Sequence, residues 1–314
     1  MWKSVASWAI KIALTAASLA YLLQKVDLAA AWQTGRTLPL GYFLAAIGLQ
    51  AVQIVICALR WQAILRAISS PLPFMRAVGL FLIGNFFGQI LPGAVGGDAV
   101  RIVATRRAGL GLAASINSVM LERAATVYAL VLLTTLAEPA LLNRLPQTPG
   151  LWLFPALTIG ATFGLIFLAE LDRLPESWRQ WKLVRGFVQL AADTRVCFLR
   201  VKNAVPIMGI ALLGHVNLAV LIWVLGVGLG APVGLIDCLV LVPPVILVAT
   251  LPISIAGWGA REVAMITVFG LIGVPAAQAT AMSVLFGLST ILIALPGGVL
   301  LLMEKKAESG LTQS

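Results

Sequence analysis

Charged side chains are scarce in this 314-residue chain, at 11% of residues, less than half the roughly 25% of a soluble domain. That shortage excludes an ordinary water-soluble fold. Histidine occurs once, at His215, and the three cysteines Cys57, Cys197 and Cys238 form no CxxC pair. A zinc site or a disulfide framework therefore has too few side chains to build on. No nucleotide-binding loop, HExxH, Ser nucleophile elbow or Cys/His dyad is present, so the chain is not read as an enzyme and no cofactor or metal is expected. The longest polar interval, 171–204, is about 34 residues and leaves no room for a soluble catalytic domain.

What the chain has is apolar length. Hydrophobic residues make up 60% of it and the mean hydropathy is +1.00, in several runs near the 20 residues that cross a bilayer. The expected class is an all-α polytopic membrane protein. Candidate spans are Val5–Leu23, Leu38–Leu59, Ala113–Ala137, Leu151–Glu170, Val205–Leu229, Ile236–Leu251 and Gln278–Met303. Lys3, the first apolar run and Ser18-Leu19-Ala20 resemble a signal peptide. Lys11 interrupts that run and it continues to Leu23, so an uncleaved first span is expected. The net charge of +10 lies between apolar runs, where it sets topology and meets anionic headgroups; nucleic acid is not expected as a partner.

One stretch, Asn85 to Arg101 (NFFGQILPGAVGGDAVR), breaks an apolar run at Leu91-Pro92-Gly93 and again at a Gly96-Gly97-Asp98 turn. Thr250 to Glu262 (TLPISIAGWGARE) repeats its shape. Leu91, Pro92, Gly97 and Arg101 fall on Leu251, Pro252, Gly257 and Arg261 at a constant offset of 160, close to half the chain. Chance recurrence in an apolar helical protein is the bland alternative to duplication. Two short pieces, Ala77–Leu91 and Arg261–Ile272, flank the breaks and fall short of a core of about 30 Å at about 1.5 Å per residue. Re-entrant half-helices are therefore expected.

Loop charge agrees. The interval 171–204 holds seven basic residues and belongs on the cytoplasmic side. Counting crossings from it puts Arg60, Arg66, Arg76, Arg101, Arg106, Arg107 and both termini inside, provided 77–91 re-enters. The localisation expected is the cell (inner, plasma) membrane. Three crossings separate the two broken stretches, so the second is inverted relative to the first, an arrangement that points to a transport site near the midplane. The organisation expected is a single membrane domain, 1–314, with about 7–8 transmembrane helices. Half one is about 1–140 with re-entrant 77–101; half two is about 151–303 with re-entrant 236–272. The segment 171–204 reads either as a basic amphipathic helix on the inner leaflet or as a linker helix packed on the bundle.

Ionisable residues at membrane depth are costly and few. The candidates are Asp98, Arg101, Glu122, Arg123, Arg261 and Glu262. Neighbours on a helix point about 100° apart, so Glu122 and Arg123 each need a partner elsewhere; cross-pairing around a shared polar cavity is the economical solution. Helices restarting after Gly97 and Gly257 would add backbone N–H groups for a phosphate. A buried ion network that only locks the bundle is the alternative. Asn85 joins the candidate binding set, although Asn85, Gln50, Gln53, Gln89, Asn117 and Asn217 also read as interhelical hydrogen-bonders.

NFFGQILPGAVGGDAVR, LERAATVYAL (Leu121–Leu130) and LPISIAGWGAREVAM (Leu251–Met265) together resemble the lysylphosphatidylglycerol synthase transmembrane-region family, or flippase-like domain proteins. The resemblance runs roughly from residue 10 to 303. It implies the membrane half of those proteins, which moves an aminoacylated phosphatidylglycerol between leaflets, without the soluble synthase domain. Glu122-Arg123 stands where many relatives have Asp-Arg, and Ala256 and Trp258 where smaller residues are frequent, which implies a reshaped cavity. The function expected is translocation of an anionic or aminoacylated phospholipid. Arg101 and Arg261 would contact phosphate; Glu122 and Glu262 would meet a cationic group or a coupled proton. Stand-alone members near hopanoid or polyprenyl-glycan genes leave the lipid open. Alternatives are an accessory lipid-binding protein paired with a lipid-biosynthetic enzyme, and an intramembrane lipid-modifying enzyme using Glu122 and Glu262.

Overall fold

The computed structural model describes residues 28–90, 94–142, 152–173, 182–250 and 257–311. Among them are eleven α-helices and no strands. The expected span Val5–Leu23, both Leu-Pro breaks (91–93 and 251–256) and part of the expected amphipathic segment (174–181) lie outside the described residues. The helices are α1 (Leu28–Arg36), α2 (Leu40–Ala67), α3 (Phe74–Ile90), α4 (Ala94–Arg107), α5 (Leu112–Leu142) and α6 (Leu153–Glu170). They continue with α7 (Lys182–Thr194), α8 (Val201–Gly228), α9 (Leu235–Thr250), α10 (Ala260–Gly270) and α11 (Ala276–Leu311). Five of them, α2, α5, α6, α8 and α11, are long and apolar enough to cross a membrane.

Turn chemistry sets the ends. After α2 the chain stops at Ile68-Ser69-Ser70-Pro71, with Ser69 at positive φ and the Ser70 N–H returning to the Leu65 carbonyl. This is the pattern that closes a helix C-terminus. Between α8 and α9, Gly230 takes φ +65°, a conformation open to glycine and costly for other residues. Pro232 follows and cannot continue a helix.

The outside of the bundle is apolar. Phe163, Phe167 and Ile159 of α6 and Leu302 and Met303 of α11 are all more than half exposed. Arg60, Arg101, Glu122, Arg261 and Glu262 are all buried at 5% exposure or less. A water-soluble protein distributes these residue types the other way round. Because lipid is as apolar as leucine, helix association relies on close packing. Gly297 of α11 lies on the backbone of Leu82 in α3, and Gly298 on the Phe86 ring. Gly97 of α4 lies on the Gly84 carbonyl of α3.

The packing of eight helices repeats. Helices α2 to α5 recur at an offset of about 160 as α8 to α11. Each contact has its counterpart: α3 on α4 and α9 on α10, α3 on α11 and α9 on α5, α5 on α8 and α11 on α2. The remaining contacts pair in the same way, and α2 packs on α8, its own equivalent. A two-fold axis therefore passes between α2 and α8. These two helices run antiparallel: Gly228 lies by Leu38 and Tyr42, Asn217 bonds the Leu49 carbonyl and Gln53, and Gly214 lies by Ile56 and Arg60. A two-fold relating antiparallel spans is perpendicular to both, so the two sets of four helices are inverted copies.

Helix α7 and the π-helical turn that continues it, Arg195–Leu199, dock on the bundle. Leu190 and Cys197 pack with Ile64, Leu121 and Ile207. Asp193 accepts from Asn117 Nδ2 of α5 at 2.7 Å, and Arg195 Nη2 donates to the Ala169 carbonyl of α6 at 2.7 Å.

Candidate functional site

A cavity of about 280 Å³ lies where the two sets of helices meet, and all eight of their helices line it. Gln53 comes from α2, Asn85 from α3, Asp98 and Arg101 from α4 and Arg123 from α5. Leu218, Thr250, Arg261 and Phe286 come from α8, α9, α10 and α11.

The first repeat builds its wall from five charged residues on three helices. Glu122 of α5 accepts through Oε1 from both Nη2 and Nε of Arg60 on α2, the latter at 3.1 Å. Its Oε2 accepts from Arg101 Nη1 of α4 at 3.2 Å. Asp98 takes both of its bonds from Arg123, Nε at 2.7 Å and Nη2 at 3.0 Å, in the forked geometry that suits a guanidinium. Arg101 Nη1 also stands 3.5 Å from Asp98 Oδ1. Two rings hold the Arg101 guanidinium, with Cζ 4.4 Å from the Trp61 centroid and 4.6 Å from that of Phe81. Its Nε and Nη2 are buried and find no hydrogen-bond partner among the described residues.

The second repeat reaches a related result with fewer charges. Arg261 Nη2 donates to Glu262 Oε1 at 2.9 Å and its Nε to Ser283 Oγ at 2.9 Å. Ser283 Oγ in turn donates to Glu262 Oε1 at 2.7 Å. Glu262 Oε2 accepts from the Gly259 N–H at 2.6 Å, capping the start of α10. Trp258 and Phe286 flank the Arg261 guanidinium at 4.8 and 5.2 Å. Each repeat thus presents one arginine held between two rings and tied to a buried glutamate. Arginine is suited to this, being weakly hydrated and able to stack while its N–H groups stay available.

Of the residues singled out from the sequence, Asn85, Gly97, Asp98, Arg101, Arg123, Gly257 and Arg261 line the cavity. Glu122 and Glu262 stand behind the arginines and do not reach its surface. Glu122 and Arg123 pair elsewhere, as the helical geometry requires, but Arg261 and Glu262 meet each other. The carboxylate of Glu262 folds back over the helix start, where the long Arg261 side chain reaches it. Gly97 is not in a turn: α4 is already helical from Ala94, and a Cβ at 97 would collide with the Gly84 carbonyl. Gly257 does take φ +80°.

Several participants were not expected. Arg60 reads as a loop charge in the sequence, yet it is buried in α2 against Glu122. The aromatic flanks Trp61, Phe81 and Phe286 carried no distinguishing signal in an apolar sequence. Gln50 donates to Thr290 at 2.7 Å and Asn217 bridges α8 to α2, the interhelical role expected of such residues. His215 Nε2 lies 2.9 Å from the Thr126 carbonyl. Among the described residues no three His, Cys, Asp or Glu side chains are grouped to hold a metal.

Fold and site together define the class: a multi-pass, all-helical membrane protein with a buried ionic cavity between inverted repeats. The chain belongs to the lysylphosphatidylglycerol synthase TM region family, whose match covers residues 8–298. Membership gives it a function connected with membrane lipids. No curated protein matches it.

Proposed function

We propose that the protein carries an anionic phospholipid from one leaflet to the other, the headgroup passing through the cavity while the acyl chains stay in the bilayer. The observation that carries this reading is Arg101. Arg101 is among the residues lining the cavity and is nearly inaccessible, yet two of the three nitrogens of its guanidinium have no partner among the described residues. A buried donor without an acceptor costs about 1–3 kcal/mol, more when charged. A phosphodiester oxygen relieves that cost. Arg123 and Arg261 line the same cavity and widen the positive surface available to a moving phosphate.

The inverted repeats support movement between leaflets, because they present related arginines from opposite directions. Helix α3, with 17 residues, rises about 26 Å at about 1.5 Å per residue, and α10, with 11, about 16 Å. Both fall short of a hydrocarbon core of about 30 Å. In this reading α3–α4 enters and leaves by the cytoplasmic face and α9–α10 by the opposite one. Both termini are cytoplasmic, in the cell membrane. The protein acts as a carrier and not as an enzyme, and a lipid-biosynthetic enzyme supplies what it carries.

Reconstitution in liposomes with acyl-labelled phosphatidylglycerol tests this, dithionite quenching reporting the outer leaflet. Wild-type protein should speed exchange between leaflets, and Arg101→Ala and Arg261→Ala should slow it at least tenfold while keeping a cooperative unfolding transition. Folded variants that match the wild-type rate would sink the site assignment.

A further inference from the structure

The cavity lining separates headgroups by charge. Every carboxylate near the cavity is already engaged. Asp98 gives both oxygens to Arg123. Glu122 gives one to Arg60 and one to Arg101. Glu262 gives one to Arg261 and Ser283 and the other to the Gly259 N–H. Glu122 and Glu262 are moreover buried, at 2% and 3% exposure. Four arginines (Arg60, Arg101, Arg123 and Arg261) meet three acids (Asp98, Glu122 and Glu262), which leaves one positive charge in excess.

The rest of the polar lining is neutral. Asn85 and Gln89 line the cavity from α3, and their side chains make no hydrogen bond among the described residues. Gln50 uses its amide nitrogen on Thr290, and its carbonyl oxygen can still accept. Amides of this kind complement hydroxyl groups, which donate and accept without charge. An ammonium entering the same space would be stripped of water with no free carboxylate to receive it and three lining arginines to repel it.

Resting on the proposed role of this site in lipid movement, we infer that the cavity selects a phospholipid whose headgroup joins a phosphodiester anion to neutral hydroxyl groups. It discriminates against the aminoacylated, cationic headgroup for which the family is described. Arg101 takes the phosphate through its unpartnered N–H groups, and Asn85, Gln89 and Gln50 take the hydroxyls.

Binding to the purified full chain tests this independently of transport. Dioctanoyl phosphatidylglycerol, dioctanoyl lysylphosphatidylglycerol and glycerophosphoglycerol are each titrated against the protein in detergent and followed by tryptophan fluorescence. The hydroxylated lipid should bind at least about tenfold more tightly than the lysyl lipid, the worth of one charge-assisted hydrogen bond. Gln89→Glu places a free carboxylate at a half-buried position with no bonds to lose, and should close or reverse that gap. Equal or tighter binding of the lysyl lipid to the wild type overturns the inference, as does a Gln89→Glu protein with an unchanged preference. Chain-free glycerophosphoglycerol binding as well as the lipid would reassign the ligand to a soluble phosphodiester and overturn the lipid assignment. Failure of leaflet exchange with the binding preference intact removes the transport reading and leaves the selectivity standing.

Discussion

Replacing Glu122 by glutamine tests whether the buried ion cluster holds the first repeat together. Glu122 is the joint of three helices: α5 carries it, α2 reaches it through Arg60 and α4 through Arg101. Glu122→Gln keeps the shape and removes the charge. The amide oxygen left in place of Oε1 still accepts from Arg60 but carries no counter-charge, and the amide nitrogen in place of Oε2 cannot accept from Arg101, which keeps Asp98 at 3.5 Å. Breaking a buried pair by removing one partner costs about 3–5 kcal/mol, a large fraction of a total stability of about 5–15 kcal/mol. The measurement is unfolding in mixtures of dodecyl maltoside and SDS, followed by helicity. The expected result is a midpoint shifted to lower SDS by an amount in that range. Replacing both partners, as Arg60→Leu with Glu122→Leu, removes the uncompensated charges and should recover most of the loss, since Arg101 keeps Asp98. A loss below about 1 kcal/mol for Glu122→Gln would refute the reasoning. So would single changes that add to within about 0.5 kcal/mol of the double, the criterion for independent sites.

The antiparallel crossing of α2 and α8 predicts which cysteine pairs can join. A Cβ at position 228 would lie 2.9 Å from the Tyr42 Cβ, close enough that a small shift reaches the roughly 3.5–4.5 Å of a disulfide. Tyr42→Cys with Gly228→Cys should therefore oxidise readily, whereas Tyr42→Cys with Lys202→Cys, the pair a parallel arrangement requires, should not. Peptide mass spectrometry separates these products from any formed by the native cysteines, and the reverse pattern would contradict the two-fold relation. Gly297→Ala should cost about 1–3 kcal/mol by overpacking, because its methyl meets the Leu82 and Ile83 backbone, which cannot rotate away. Gly209→Ala in α8 meets nothing within 4 Å and should fall within about 0.5 kcal/mol of the wild type in the same assay.

Much of the fold was legible because a membrane writes itself into composition. Five of the seven spans expected from apolar length are helices long enough to cross, whereas Ile236–Leu251 is the 16-residue α9 and Val5–Leu23 lies outside the described residues; the repeat follows from Pro, Gly and Arg residues recurring at one offset. Arg60 was lost for the same reason. A charge ends an apolar run on paper, so the second span was closed at Leu59, whereas α2 continues to Ala67 and buries Arg60 against a partner 62 residues away. That Glu122 and Arg123 look for partners on other helices is legible from their adjacency; that Arg123 takes Asp98 is not, because the pairing among six candidates is set by the packing. Nor is the Arg261–Glu262 contact, because it depends on a carboxylate turning back to cap its own helix. Gly97 reads as a turn in the sequence because glycine serves both bends and close approaches, and only the neighbouring Gly84 backbone tells them apart.

The position of the two-fold axis carries a historical consequence. Around Gln53 and Gly214 the chain meets its own equivalent, antiparallel and face to face. A half-length precursor built to this plan would meet a second copy of itself in the same way, so copies of one gene product would have to enter the membrane in both orientations. Such a chain cannot carry a decisive imbalance of lysine and arginine between its ends, since that imbalance is what fixes orientation. Fusion lifts the restriction. The interval 171–204, with its seven basic residues, lies between the two sets of four helices, and there it can set both copies at once.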